Sequence, residues 1–272
     1  PKLGVEGAAI GTLISRICML TFIIFYLKIH KKLSKYIKKF FPSKVEIKRV
    51  KKILYLGLPS ALHSFFEVAF FVSAVWMSGL LGKNSQAANQ IALNLSSMTY
   101  MVALGVGVAA MIRVGNQRGM MNFKKLREVA LSTLFLIIVI DVFFCLIFLT
   151  FNDSLPLLYL DPLDPSSFAD VSEVLSIASN LLIVAGVFQL FDGIQAVVLG
   201  ALRGMQDVNK PAIIIFFSYG ILGFPISYFL GFHTPLEMVG IWIGLLSGLL
   251  FSSLFLFLRF NYLSKKIIAL ND

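Results

Sequence analysis

The chain has 272 residues, 58% of them hydrophobic, with 26 Phe and a formal net charge of +10; its mean hydropathy is +0.86. This excludes an ordinary soluble domain, which would be far more polar, and the recurrent apolar runs of bilayer-spanning length indicate an all-α integral membrane protein. The positive charge does not indicate nucleic acid, because the basic residues are gathered between the apolar runs and not spread over a soluble surface.

Seven spans are predicted, at about 4–27, 53–79, 86–112, 129–151, 174–201, 212–232 and 239–258. The runs lack the sustained alternation of a barrel strand, so they read as helices. The segments 28–52, 113–127 and 203–210 and the tail from Arg259 hold eleven, five, two and three Lys/Arg, whereas 80–85, 152–173 and 233–238 hold Lys83 alone. The positive-inside rule makes the basic side cytoplasmic, which leaves the N-terminus outside and the C-terminus cytoplasmic. Pro1 stands where a Met would open a chain, and no secretory signal precedes the first span. The sequence is therefore expected to start inside a longer protein.

Four parts follow: a helix over 1–27, a basic linker over 28–52, a six-helix block over 53–258 and a cytoplasmic tail over 259–272. In the linker, Ile29, Leu33, Tyr36, Ile37, Phe40 and Phe41 recur at helical spacing among lysines. An amphipathic helix on an anionic leaflet, ended by Pro42, and a solvated basic linker both fit. In the first span, Arg16 either pairs with a part of the protein outside this sequence or snorkels to a boundary. Cys18 and Cys145 both lie in apolar runs and read as small buried residues, not a disulfide.

The second span carries Pro59, expected to kink or locally break the helix, then Ser60, His63, Ser64 and Glu67 along one stripe. The third aligns Gln86, Gln90, Asn94 and Ser97, with Tyr100 close to the same face. The fourth holds Asp141 without polar neighbours at helical spacing; a third cavity acid and a buried neutral acid are the alternatives, and the second is preferred. The fifth places Gln189, Asp192 and Gln195 at spacings of three, after Asn180, and runs out through Leu202-Arg203-Gly204, a basic turn, towards Pro211. Pro225, in the sixth, is a second candidate bending point.

Polar stripes on three spans imply a polar cavity inside the bundle. Interhelical hydrogen bonds, about 0.6 kcal/mol each in membranes, are the plain alternative for the Asn and Gln residues. They account less well for Glu67 and Asp192, because a charged side chain at the bilayer centre costs about 2.5–3.5 kcal/mol on insertion scales and such groups usually serve function. No HExxH, P-loop, GxSxG or Cys/His cluster occurs, so no catalytic residue is assigned and an enzyme is not expected. Asp161 and Asp164 read as a solvated acidic turn.

GLPSALHSFFEVAFF, NLSSMTYMVALGVGVAAMIRVGNQRG and FQLFDGIQAVVLGALRGMQDVNKP, in that order, resemble the multidrug and toxic-compound extrusion (MATE) family in its NorM-like bacterial branch. PKLGVEGAAIGTLISR resembles that family's lead into helix six. The resemblance implies a MATE transporter fold represented by helix six and the six helices of the C-terminal lobe, with the N-terminal lobe as partner. It also implies a monomeric antiporter of the bacterial inner membrane that exports organic cations and drugs against Na⁺ or H⁺, with no other cofactor.

In NorM-like members an acid on helix seven and one on helix ten hold the coupling cation; Glu67 and Asp192 stand there, and Na⁺ at this pair is implied. A Tyr often found one turn before the helix-ten acid is Phe188 here, which removes a hydroxyl. His63, Gln90, Asn94, Tyr100, Phe188, Gln189 and Gln195 are the expected lining, with Phe65, Phe66 and Phe70 as further aromatic walls. The rivals are a lipid-linked oligosaccharide flippase of the same superfamily, which should line its cavity with several Arg or Lys, and a membrane scaffold or channel. The interiors predicted for spans two to seven hold no basic residue, which counts against the flippase.

Overall fold

The computed structural model describes residues 4–30, 46–160 and 168–271. Most of the predicted linker, including Leu33 to Pro42, lies outside them, as do Asp161 and Asp164. Among the described residues there are helices and no strands, and seven helices are long and apolar enough to cross a membrane.

Two compact units are present, Pro1–Ile53 and Leu54–Asp272. In the first, α1 (Gly4–Ile29) is apolar on every side, with Leu13, Ile17, Leu20 and Phe25 all exposed. A helix of this kind suits lipid or a bundle interior, not water.

The second unit is built on α2 (Ile47–Leu81) from Leu54 onwards, α3 (Lys83–Gly119), α4 (Phe123–Thr150) and α5 (Phe168–Gly204). α6 (Asn209–Phe216), a wide-turn segment (Phe217–Gly223), α7 (Phe224–Phe232) and α8 (Glu237–Ala269) complete it. Short connections force sequential helices to run antiparallel. Gly82 alone joins α2 to α3, at φ 121°, where a side chain would be strained. Asn122 starts α4 by accepting a hydrogen bond from the Lys125 amide at 3.1 Å, a side-chain N-cap.

The helices run longer than the predicted spans on the basic side. The tail expected from Arg259 is helical to Ala269 and is tied down: Arg127 donates from Nη1 to Ser264 Oγ at 2.5 Å and from Nη2 to Asn261 Oδ1 at 2.7 Å. Arg259 pairs with Asp207 at 2.8 Å. At the opposite end Lys83, the one Lys or Arg of the loops 80–85, 152–173 and 233–238, pairs with Asp170 at 2.7 Å, so the loops 80–85 and 152–173, expected on one side, do meet.

α5 is the centre of the unit and packs most closely on α3, α4 and α8. Lipid supplies no hydrophobic drive between helices, so close backbone approach and interhelical hydrogen bonds do the work. A Cβ on Gly107 of α3 would stand 2.7 Å from the Ala196 carbonyl oxygen of α5, and one on Gly200 would strike the Gly107 backbone. Across the α5–α8 face, Leu181, Leu182 and Phe188 meet Ile241, Trp242, Leu245 and Leu249 in one core cluster. Asn89, fully buried, accepts from Trp242 Nε1 at 3.0 Å and donates to Ser78 Oγ at 3.3 Å, locking α3 to α8 and α2. α2 has no comparable backbone approach to its neighbours and reaches them through its side chains.

Pro59 does not break α2, which is continuous from Ile47 to Leu81; Ser60 Oγ donates to the Leu56 carbonyl at 3.0 Å just beside it. Pro225 has the larger effect. Lacking an N–H, it stands two residues after the Phe217–Gly223 segment, where the Phe224 amide donates to the Tyr219 carbonyl five residues back. Such wide turns insert a residue into the helix and recur at functional sites.

Candidate cation and substrate site

The polar stripes of α2, α3 and α5 meet. Glu67, Gln90, Asn94, Ser96, Tyr100, Phe188 and Asp192, with Ser64, Ser97 and the apolar side chains of Val68, Phe71 and Leu93, line a cavity of about 490 Å³. Part of the lining is aromatic: the Phe71 and Phe188 rings meet edge-on at 5.9 Å, and Phe188 is backed by Trp242 at 5.5 Å. Glu67 and Asp192 are its acids. Asp192 is 6% exposed, and its Oδ1, like Ser96 Oγ, has no hydrogen-bond partner among the described residues. Buried polar atoms are nearly always partnered, so these oxygens suit a cation, a proton or water in the cavity.

Glu67 is held from α5. Gln195 Nε2 donates to Glu67 Oε1 at 3.2 Å, and Gln195 Oε1 accepts from Tyr219 OH at 2.7 Å and from the Ser252 hydroxyl. The Tyr219 ring stacks on Phe70 at 4.7 Å. This buried relay from α8 and the wide turn to Glu67 was not predicted; the one signal for it was Pro225, six residues after Tyr219. It supplies a hydroxyl near the acids where Phe188 has none, but to Gln195.

A second, smaller cavity of about 120 Å³ lies beside Glu67, lined among others by His63, Tyr100, Gln195, Gly107, Gly200 and Arg203. Arg203 is not a turn residue, as expected, but sits in the last turn of α5. Its Nη2 stands 3.2 Å from His63 Nδ1, and His63 Nδ1 stands 3.9 Å from Glu67 Oε2. The predicted spans two to seven hold no basic residue, but α5 runs past the predicted end at residue 201 to Gly204, and Arg203, in this added turn, lines the smaller cavity.

Gln189, Asp192 and Gln195 were expected on one stripe, yet they part. Three residues turn a helix by about 300°, so each step slips by about 60° and Gln189 ends far round from Gln195. Gln195 enters the smaller cavity and Asp192 the larger. Gln189 lines neither; it is buried, with both amide atoms unpartnered among the described residues. Asp141 also lies outside both cavities. It is 2% exposed, its Oδ2 fills the place a Cβ on Gly193 would take, and that oxygen has no partner among the described residues. Phe65 is exposed, while Phe66 and Phe70 line a third cavity against Phe216, Tyr219 and Phe224, so none of the three walls the acid cavity.

Among the described residues no three His, Cys, Asp or Glu gather to hold a metal ion. Two carboxylates with hydroxyl and amide neighbours suit a weakly held monovalent cation or a proton instead.

A multi-pass helical bundle with an acid pair facing an aromatic-walled cavity belongs to the architecture of membrane transporters. The MatE family profile matches residues 59–229, and the chain belongs to that family. It is similar to the probable multidrug resistance protein NorM of Agrobacterium fabrum, 33% identical over 270 residues, covering 98% of this chain and 56% of that protein. The probable multidrug resistance protein NorM of Bacillus subtilis is also 33% identical over 270 residues, covering 98% of this chain and 57% of its own length. The chain thus spans about half the length of the curated relatives it matches. Its fold is that of a eukaryotic MATE transporter crystal structure, with TM-score 0.81 at 22% identity over 98% of this chain and 59% of that one. These relatives are named as transporters and resistance proteins, not enzymes.

Proposed function

We propose that the chain supplies helix six and the C-terminal lobe of a cation-coupled multidrug antiporter in a bacterial cell membrane, exporting organic cations by alternating access against Na⁺ or H⁺ with an N-terminal lobe as its partner. The observation that carries this reading is the placement of Glu67 and Asp192 on one cavity walled by Phe71, Phe188 and Tyr100. Aromatic faces attract organic cations, and the two carboxylates attract both the drug and the coupling cation. In the outward-facing state Glu67 and Asp192 take up the coupling cation, which neutralises them and weakens the hold on a cationic drug. In the inward-facing state the cation leaves and the drug takes its place. Coupling requires the two ligands to favour different states, and the wide turn Phe217–Gly223, linked to Glu67 through Tyr219 and Gln195, is a bending point connected to the acid.

A flippase for pyrophosphate-linked lipids would require several cationic side chains in the cavity. Among the described residues the two cavities that share Glu67 offer Arg203 alone besides His63, so the antiporter reading is preferred. The test is exchange by the full-length transporter in liposomes, under separate Na⁺ and pH gradients. Ethidium efflux driven by one of them is expected; no efflux under either refutes the reading.

A further inference from the structure

Glu67 belongs to both cavities, and with it only Ser64 and Tyr100 do so. On one side it shares space with Asp192. On the other, the smaller cavity contains Arg203, carried there because α5 lies against α3 at Gly107 and Gly200. A guanidinium keeps its charge at any working pH. It is an N–H donor, so His63 must accept through Nδ1 and carry its own proton on Nε2. That Nε2 is buried without a partner among the described residues. His63 is therefore neutral towards Arg203, and the guanidinium lies one imidazole atom away from the Glu67 carboxylate. Among the described residues Arg203 forms no ion pair with a carboxylate, and Asp207, four residues along the chain, is engaged by Arg259.

We infer that Arg203 is a tethered counter-cation for Glu67: it competes with the coupling cation and the cationic drug for that carboxylate, and rests on His63 while Glu67 is otherwise occupied. The idea rests on the antiporter reading. Arg203 is then a positioning residue that sets how tightly a cation is held and how fast it leaves. The competition is electrostatic, since a guanidinium and a carboxylate that line one small cavity attract each other. His63 opposes it by offering the guanidinium a second acceptor.

The test is ethidium exchange by the full-length transporter in liposomes, read as the Na⁺ or H⁺ concentration at half-maximal rate. Arg203→Gln removes the competitor and should lower that concentration by about tenfold, the equivalent of one pK unit, while slowing the maximal rate. Arg203→Lys keeps the charge and should restore it to about the wild-type value. His63→Leu removes the resting place and should raise it. An unchanged half-saturation in Arg203→Gln, or a Lys variant that behaves like Gln, overturns the inference, since a purely structural Arg203 would reduce the rate alone. If Arg203→Gln does not fold, His63→Leu decides: a rise supports competition, and an unchanged or lowered value refutes it. Exchange in the wild type with these variants unaltered sinks the inference but not the antiporter; no exchange in the wild type sinks both.

Discussion

Tyr219→Phe isolates one hydroxyl in the relay that holds Glu67. The Phe ring can keep the stacking on Phe70 at 4.7 Å, so packing is preserved and the hydrogen bond of 2.7 Å to Gln195 Oε1 is lost. That oxygen is not stranded, because the Ser252 hydroxyl also donates to it. The expected cost is near the membrane average, about 0.6 kcal/mol. Gln195→Leu is different in kind. Ser252 retains the Leu249 carbonyl at 3.0 Å, but the buried Tyr219 hydroxyl loses its Gln195 acceptor and keeps only the neighbouring Ser252 hydroxyl, a cost at the lower end of about 1–3 kcal/mol. The double variant has no hydroxyl to strand, so it should be more stable than Gln195→Leu alone. The assay is unfolding of the purified protein in mixed micelles by added dodecyl sulfate, followed by the fluorescence of the fully buried Trp242 against the exposed Trp76. A double variant destabilised by the full total of the two single effects, or more, would refute the relay, because independent sites add and coupled ones do not.

Asp192→Asn and Glu67→Gln should each insert normally yet abolish gradient-driven ethidium efflux from liposomes, and the double variant should be little worse than either, since both damage one site. Asp141→Asn should cost far less transport, because Asp141 lines neither cavity; equal loss in the same efflux assay would make it a third coupling acid. Gly107→Val forces a side chain into the Ala196 backbone and should destabilise the bundle by about 3 kcal/mol, the upper end for overpacking, in the dodecyl sulfate titration. Cysteines at Lys83 and Asn122 should react with impermeant thiol reagents from the outside and only from the inside, respectively; the reverse would overturn the charge-based orientation.

What the sequence determined by itself is what depends on position along one helix. Seven spans and their alternating ends follow from hydropathy and from the gathering of Lys and Arg, both linear properties, and the described helices extend the predicted spans mainly on the basic side. Glu67 and Asp192 stood out because a carboxylate at membrane depth is costly wherever its helix packs, and their meeting on one cavity was foreseen from the polar stripes. The tertiary structure decided what depends on rotation and close approach. A slip of about 60° per three residues sends Gln195 to Glu67, Asp192 to the larger cavity and Gln189 to neither. A side-chain contact between α2 and α5 sets Arg203 beside His63, 140 residues away in sequence, and no local pattern signals such a pairing. Tyr219 lies on a helix whose period is broken by the wide turn ahead of Pro225, so its reach to Gln195 could not be read from helical spacing. The partnership of Asn89 with Trp242, 153 residues apart, was equally hidden, since a buried amide shows its purpose only when its hydrogen-bond partner is in place.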